Sequence, residues 1–366
     1  MILFLHNRYR STGGEERAVQ DLLWLVREHL GEEAELLERD SAVLGRPAAA
    51  AALLRGGLHP DDIARAVRRT GARIVHSHNL HPTLGWRALA AARRAGARVI
   101  AHLHQYRLVC AVGVCFTEGA DCTRCHGRNT LPGIRHNCRQ SLGEAVVYGA
   151  ALSMWQRRIV QQVDAFVTPS RFAADRLRAL GAPVQGVHIV GNVVRQFVGE
   201  AAPLAEGHAL LAARLSPEKG IDVAIEACRL AEIELVVAGD GQERGRIPAA
   251  GAGTRFAGRV SDAELQRLRQ TAALALVPSR SAETFGLAAA EAMAAGLPVA
   301  GSHVGALPEL VPAEWLVAPG DPIALAKAIE RLRGNRSAGA EALARVRAVA
   351  SPEVVARQLA TAYGTP

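Results

Sequence analysis

Two cations five residues apart, Arg214 and Lys219, and two carboxylates eight apart, Glu283 and Glu291, are the residues whose types and spacing can do chemistry. Arg214 follows the apolar run Ala209 to Ala213, and Lys219 stands where a helical pattern with Ile221, Val223 and Ala224 begins. A cation at a strand end and another at a helix start can converge on one diphosphate, while the helix N-terminus adds its own N–H groups. Ordinary surface turns use the same residue types, but lysine is scarce here: of 43 basic residues only Lys219 and Lys327 are lysines. Glu283 falls in the loop after Leu274 to Val277, and Glu291 lies two turns away in an alanine-rich helix predicted over Ala288 to Ala295. A carboxylate on such a helix can take both hydroxyls of a ribose, and one on the loop can hold sugar hydroxyls. Gly286 lets backbone N–H groups approach a phosphate closely. Two glutamates at this spacing are usually solvated. The setting of these, Glu283-Thr284-Phe285-Gly286-Leu287 followed by Ala294-Ala295-Gly296-Leu297-Pro298-Val299, sets them apart.

A second cluster is sulfur. Cys110, Cys115, Cys122, Cys125 and Cys138 fall within 29 residues, and Cys228 stands alone in a predicted helix. Cys122 and Cys125 make a two-residue knuckle, with Cys110 and Cys138 flanking it at 11 and 12 intervening residues. Four thiolates can close a tetrahedral zinc site, Cys115 competing for the fourth place. Four sulfurs leave no open coordination position, so the expected role is to staple a long loop that lacks its own core. His76, His78, His81, His102 and His104 are predicted at strand ends, where for any one of them a hydrogen-bonding role outweighs catalysis.

These residues need a scaffold of loops after strands. Short β-rich runs at Ile2 to His6, Ala34 to Leu37, Arg73 to His76, Arg98 to His102 and Ala165 to Thr168 alternate with amphipathic stretches such as Glu16 to Leu30, Asp61 to Arg69 and Leu84 to Ala95. The pattern restarts near Gly207 with runs at Ala209 to Ala213, Glu234 to Ala238, Arg255 to Ala257, Leu274 to Val277, Val299 to Gly301 and Trp315 to Val317. Such alternation predicts α/β architecture with parallel sheets covered on both faces, here two Rossmann-like domains facing a central cleft. The boundaries read as 1–195, with a Cys-rich loop at 105–139 and a C-terminal tail at 350–366, and 203–349. The alanine-rich run Pro47 to Leu54 reads as low complexity.

Length and charge agree with a folded two-domain chain: 366 residues, 49% of them hydrophobic, supply two cores. No apolar stretch approaches the roughly 20 residues needed to span a bilayer, and Ile2 to Leu5 follows Met1 without a signal-peptide pattern, so the expected location is cytoplasmic. Residues 1–195 hold 26 arginines against 16 acids, the remainder 17 bases against 19. A basic half can meet nucleic acid, an anionic membrane or an anionic acceptor. Aromatic content of 4% argues against single-strand nucleic-acid stacking, so a zinc-stapled nucleic-acid-binding protein is a distant alternative.

The segment Glu283 to Val299 resembles the signature of the retaining, nucleotide-sugar-dependent glycosyltransferases of family 4, which have the GT-B fold. The resemblance extends along nearly the whole chain: Gly13-Gly14-Glu15 is similar to the family's first glycine-rich loop, and His76-Ser77-His78-Asn79 to a later strand-end loop. His104-Gln105-Tyr106-Arg107-Leu108-Val109-Cys110 resembles its His-x-Tyr-Arg segment, with Gln105 where Asp or Asn is usual. Thr168-Pro169-Ser170, Gly239-Asp240-Gly241, and Gly305 with Glu309 also match. The resemblance implies Arg214 and Lys219 on the donor diphosphate, Glu291 on the ribose, and Glu283, Phe285, Gly286 and Leu287 around the sugar and phosphate. It implies the backbone near Arg259 and Val260 at the base, Gly13 and Gly14 near the diphosphate, and His104 beside the sugar. Arg214, Lys219, Glu283 and His104 are thus the expected catalytic residues, and Cys110 is preferred to Cys115 beside Cys122, Cys125 and Cys138.

No Asp-x-Asp pair occurs, which fits a reaction without catalytic metal. The resemblance implies same-face attack, with the departing phosphate oxygen taking the acceptor proton. The expected partners are a nucleotide-sugar donor, as substrate, and a glycan or lipid-linked acceptor in cell-surface polysaccharide assembly, with no nucleic acid. An epimerase or hydrolase of the same fold is the nearer alternative. The helix predicted from Ser141 to Val163, with Tyr148, Met154, Trp155, Arg157 and Arg158, can touch an anionic inner membrane face. The segment Pro352 to Tyr363 resembles the tail helix that crosses back to the first domain.

Overall fold

A computed structural model describes residues 1–8, 13–247 and 253–364. The chain divides into two compact units, one of Met1–Thr117, Cys122–Val193 and the segment from Pro352 onward, the other of Val194–Ser351 with Glu118–Asp121.

In the first unit, β1 (Ile2–Arg8), α1 (Gly14–His29) and β2 (Ala34–Asp40) are followed by α2 (Arg46–Leu54), α3 (Pro60–Thr70), β3 (Ile74–Ser77), α4 (Gly85–Arg94) and β4 (Arg98–His102). The cysteine-rich segment carries β5 (Phe116–Thr117), β6 (Ala120–Asp121), which is grouped with the other unit, then α5 (Leu131–Arg135) and α6 (Leu142–Val160). β7 (Ala165–Thr168), α7 (Arg171–Ala179) and β8 (Val187–Ile189) complete the sheet, which runs β2-β1-β3-β4-β7-β8. Every pairing in it is parallel. Parallel strands are covered on both faces, which is why Ile2 to Leu5 and Ile74 to Ser77 read as unbroken buried runs.

The second unit contains β9 (His208–Ala212), α8 (Ile221–Leu230), β10 (Leu235–Ala238), β11 (Thr254–Gly258), α9 (Asp262–Gln270), β12 (Ala272–Val277), α10 (Leu287–Ala294), β13 (Val299–Ser302), α11 (Leu307–Leu310), β14 (Leu316–Val317), α12 (Pro322–Leu332) and α13 (Arg336–Ala350). Its parallel sheet runs β11-β10-β9-β12-β13-β14. The order reverses between β9 and β12 here, and between β1 and β3 in the first unit. At such switch points the loops leaving the strands splay apart and open α/β sheets bind ligands.

Two elements depart from the sequence reading. The alanine-rich run is helix α2, because alanine has the highest helix propensity, Pro47 suits the first turn, and Ala52 and Leu53 find buried seats. β8, three half-buried residues, is too short to carry a periodic signal. The last helix, α14 (Pro352–Tyr363), lays Val355, Leu359 and Ala362 into the first unit's core against Ile2, Phe4, Ile74, Ile100 and the apolar face of α1.

Leu359 is fully buried in that core, so Leu359→Ala should lower the stability of the first unit by about 2–5 kcal/mol. Ile323→Ala, at an exposed position on α12, should stay within about 0.5 kcal/mol of wild type. Urea unfolding of both variants measures the difference.

Candidate functional site

The loops after β9 and β12 bring the predicted charged residues together. Past β9 the chain passes Arg214 and makes a single tight turn, Pro217–Lys219, with Pro217 at its start and Gly220 left-handed (φ 65°) at its end. A side-chain carbon on Gly220 would lie 2.1 Å from the Pro278 carbonyl oxygen, so glycine is what lets the two loops touch. Across that contact the Lys219 Nζ donates to Glu283 Oε1 at 2.6 Å, and the Ser279 hydroxyl donates to the same oxygen at 2.6 Å. Arg214 donates to Glu218 Oε1 at 2.9 Å, where the Ser216 hydroxyl also donates at 2.6 Å. The Arg280 amide donates to the Glu218 carbonyl, and its guanidinium pairs with Asp222 at 2.6 Å. Burial pushes the Glu283 carboxyl up, yet the charge and hydrogen bond of Lys219, the Ser279 bond and the charge of Arg214 hold it below the ordinary range. Glu218 is likewise low: burial opposes, and Ser216 and Arg214 prevail. Arg214, Lys219 and Glu283 thus form one ionised cluster, each cation paired with a carboxylate.

The loop after β13 closes the third side. The Ala306 amide donates to the Glu283 carbonyl at 2.8 Å, and a side-chain carbon on Gly305 would lie 2.3 Å from the Glu283 amide nitrogen and carbonyl oxygen. Gly286, left-handed, caps the N-terminus of α10, Phe285 is buried beside it, and Leu287 opens the helix. Glu291, on α10, receives a 2.5 Å hydrogen bond from Arg269, which is buried on α9. Sequence reasoning missed Arg269. Its signal was position: it follows Leu265 and Leu268 by four and one residues, on the helix face that packs inward. Arg259 and Val260 follow β11, Arg259 exposed and Val260 packed against the core.

In the first unit, Gly13 and Gly14 stand at the start of α1, where the Glu16 carboxylate accepts the Gly13 N–H at 2.8 Å. His104 lies just past β4 and stacks on His102, ring centroids 4.0 Å apart. Its Nε2 meets His78 Nδ1 at 2.8 Å. Burial, with the neighbouring His6 and His76, pushes His104 down to about 3. His76 is pushed to about 3 by burial, and burial with the surrounding imidazoles pushes His78 and His102 well below the ordinary value. His81, just before the cis peptide to Pro82, is lowered to about 3 by burial and the charges of Arg107 and Arg139. Gln105 donates to Glu15 at 2.9 Å.

The cysteine loop builds one pocket lined by Cys110, Cys115, Cys122, Cys125, Cys138 and His136. Both competing residues, Cys110 and Cys115, face it. Cys110 is held at about 6 by hydrogen bonds from Cys115 and from backbone amides including that of Gly113, against the effect of burial. Burial raises Cys125 and Cys138. The sulfurs share a pocket but do not form a set of three within 4.8 Å of one another; among the described residues that spacing is met by His76, His78 and His102. Cys228 lies apart in α8, its thiol pushed up to about 12 by burial.

Comparison with known proteins matches both units. Residues 11–193 match the glycosyl transferase 4-like domain, and residues 206–335 match the glycosyl transferases group 1. An amylovoran biosynthesis glycosyltransferase of Erwinia amylovora is 31% identical over 48% of this chain and 49% of its own. A phosphatidyl-myo-inositol mannosyltransferase of Mycobacterium leprae is 29% identical over 60% of this chain and 63% of its own. The chain therefore spans about half to just under two thirds of these relatives' length. The structure of sucrose-phosphate synthase from Thermosynechococcus elongatus shares the fold with a TM-score of 0.70 at 19% identity, covering 99% of this chain and 98% of that one. The Anabaena protein HepE, in complex with UDP and glucose, does so at 0.64 and 17%, covering 99% of both. With its two parallel six-stranded sheets, this chain has the GT-B fold and belongs to the group 1 glycosyltransferases, its N-terminal half being their 4-like domain.

Proposed function

We propose that this chain transfers a sugar, with retention of anomeric configuration, from a nucleotide-sugar donor to a glycan or lipid-linked acceptor in cell-surface polysaccharide assembly. The observation that carries the reading is the cluster of Arg214, Lys219 and Glu283 at the switch point of the second sheet. Breaking an anomeric bond to a diphosphate leaves additional charge on the leaving group, and fixed cations in a partly desolvated site stabilise it. Lys219 and Arg214 would exchange their carboxylate partners for phosphate oxygens. Glu283, freed from Lys219, would accept from sugar hydroxyls, and the N–H groups at Gly286 and Leu287 would meet a phosphate. Glu291, oriented by Arg269, would take the ribose hydroxyls, Phe285 would pack beside the sugar, and the backbone at Arg259 and Val260 would hold the base. The donor-contacting residues proposed in the first unit are Gly13, Gly14 and His104. For retention, the acceptor hydroxyl attacks the anomeric carbon on the face the diphosphate leaves. The carbon–oxygen bond to phosphate breaks as the new one forms, and the departing oxygen takes the acceptor proton.

A structural zinc in the cysteine pocket belongs to the same proposal. Cysteines facing one pocket suit zinc, which binds them as thiolates, and Cys110 is already shifted that way. Such an ion would be held by Cys122, Cys125, Cys138 and Cys110, and would tie the loop together without taking part in catalysis.

Contact with an anionic inner membrane face is proposed on a revised set of residues. Trp155 donates its indole N–H to Leu53, Arg158 lies 4.8 Å over the Trp86 ring, and Arg139 stacks on Tyr148, so these groups serve internal packing. The face α6 leaves exposed carries Leu142, Val146 and Met154, with Arg157 beside it. Among the described residues, no helix is long and apolar enough to cross a membrane.

Three measurements follow. Lys219→Ala and Arg214→Ala should each lower kcat by about 10² or more while circular dichroism stays native, the donor being chosen by thermal shift from UDP-, GDP- and ADP-sugars; near-normal turnover in both would sink the assignment. Metal analysis should give about one zinc per chain held by the cysteines, lost when Cys122 and Cys125 both become Ser. Co-sedimentation should be stronger with anionic than neutral vesicles, weaken with salt, and decline in Leu142→Ser/Val146→Ser; equal binding to neutral vesicles would point to a soluble acceptor.

A further inference from the structure

Along a parallel strand, residues two apart share a face. Phe4 is level with His76 and Leu5 with Ser77, and His76 is level with Ile100 and Ser77 with Ala101. The next position in each register sets His78 beside His6 and His102. One face of the sheet, at the exit of β1, β3 and β4, therefore carries a pile of imidazoles where the rest of that face is Ile2, Phe4, Ile74 and Ile100. His76, His78 and His102 are at most 5% exposed. His76 Nε2, His78 Nε2 and both ring nitrogens of His102 are buried without a hydrogen-bond partner. A polar atom left that way keeps its full desolvation penalty, so three such rings side by side call for a ligand.

We propose that His76, His78 and His102 bind a divalent transition-metal ion in the core of the first unit. One nitrogen from each ring lies within 4.8 Å of the other two. A tetrahedral ion with metal–nitrogen bonds of about 2.0–2.1 Å needs nitrogens about 3.4 Å apart, so binding draws the rings together and turns them out of their stack, in which His76 and His102 lie 7° from parallel. Three neutral imidazoles select zinc, cobalt, nickel or copper over magnesium or calcium, which take oxygen.

The contacts around His76 and His78 fit ligation through Nε2, while His102 has both ring nitrogens open to an ion. A metal-bound histidine almost always donates its other ring N–H to a neighbour, which sets tautomer and orientation. His76 Nδ1 stands 2.8 Å from the Tyr363 hydroxyl oxygen, and His78 Nδ1 stands 2.8 Å from His104 Nε2. With the protons on Nδ1, His76 donates to Tyr363 and His78 to His104, and both Nε2 lone pairs are left to accept an ion. The ion would then fasten β3 and β4 to α14 through Tyr363, and would leave the His104 proton on Nδ1. This last consequence rests on the proposed role of His104; the binding itself does not.

The test uses the full chain, freed of metal with a chelator, then given Co²⁺ or Zn²⁺ both in the folded state and during refolding. The cysteine pocket is a second candidate site, so the two are separated by signal. Occupied histidines should give cobalt d–d absorption without thiolate charge transfer, and Zn²⁺ should shift the ring ¹⁵N resonances of His76, His78 and His102 in a long-range ¹H–¹⁵N spectrum. His102→Asn should weaken this binding at least about 100-fold and leave the thiolate bands in place, and Tyr363→Phe should weaken it about 10- to 100-fold. The ¹⁵N measurement on wild type needs no variant and stands even if His102→Asn fails to fold. Ring nitrogens unmoved at saturating Zn²⁺ by either route, or a cobalt spectrum of thiolate character alone, would overturn the proposal, and turnover that fails in Lys219→Ala leaves it untouched.

Discussion

A carboxylate carried out of water stays ionised only where cations and hydrogen-bond donors meet it, and Glu283 draws its partners from three loops. Lys219 comes from the turn after β9, Ser279 from the loop after β12, and the Ala306 amide, reaching the Glu283 carbonyl, from the loop after β13. None of this closes unless backbones pass within a side-chain carbon of one another, which Gly220 and Gly305 permit. Breaking the pairing by removing one partner would strand a charge, a loss of about 3–5 kcal/mol when fully buried and less here, where Lys219 keeps a quarter of its side-chain surface. The same contact therefore shapes the three strand-end loops and sets the cation in place.

Much of this was legible in the residues. Unbroken apolar runs marked the parallel strands, Arg214 and Lys219 stood out by their places at a strand end and a helix start, and Glu283 and Glu291 by the segment that holds them. What stayed hidden depends on distant partners. Arg269 sits in a helix with Arg267, and only the fold reveals that one is buried against Glu291, 22 residues on. Ser279 reads as an ordinary loop hydroxyl until Glu283 turns back on it. The alternation of His76 with His78 and of His102 with His104 places each pair on one face, but strand register brings the pairs together, and Tyr363 arrives from 287 residues away.

The two basic clusters solve the burial of charge differently. In the second unit Arg214, Lys219, Arg269 and Arg280 are each paired with a neighbouring carboxylate, which orients them with little net local charge. In the first unit the imidazoles shed charge: burial drives them to the neutral form, and no carboxylate is needed beside His76, His78 or His102. A base of ordinary pKa suits the second solution because its neutral form still offers a lone pair. Arginine cannot use it.

On the proposed reading, the paired state in the second unit also governs how a donor enters. A diphosphate offers Lys219 and Arg214 more negative charge than one carboxylate each, so exchanging partners is favourable where the carboxylates find replacements. Glu283 would find them in sugar hydroxyls, while Glu218 would keep the Ser216 hydroxyl. A free diphosphate lacks the hydroxyls that would take over Glu283, and its binding would leave that carboxylate short of donors. On that reading the cluster would favour an intact nucleotide-sugar over the bare nucleotide by the hydrogen bonds Glu283 regains, on the order of 1.5–3 kcal/mol for a charged acceptor. Glu283→Gln removes that need, so it should narrow the difference in affinity between donor and nucleoside diphosphate by about ten-fold or more in calorimetric titration; an unchanged ratio would mean that Glu283 serves only to hold Lys219.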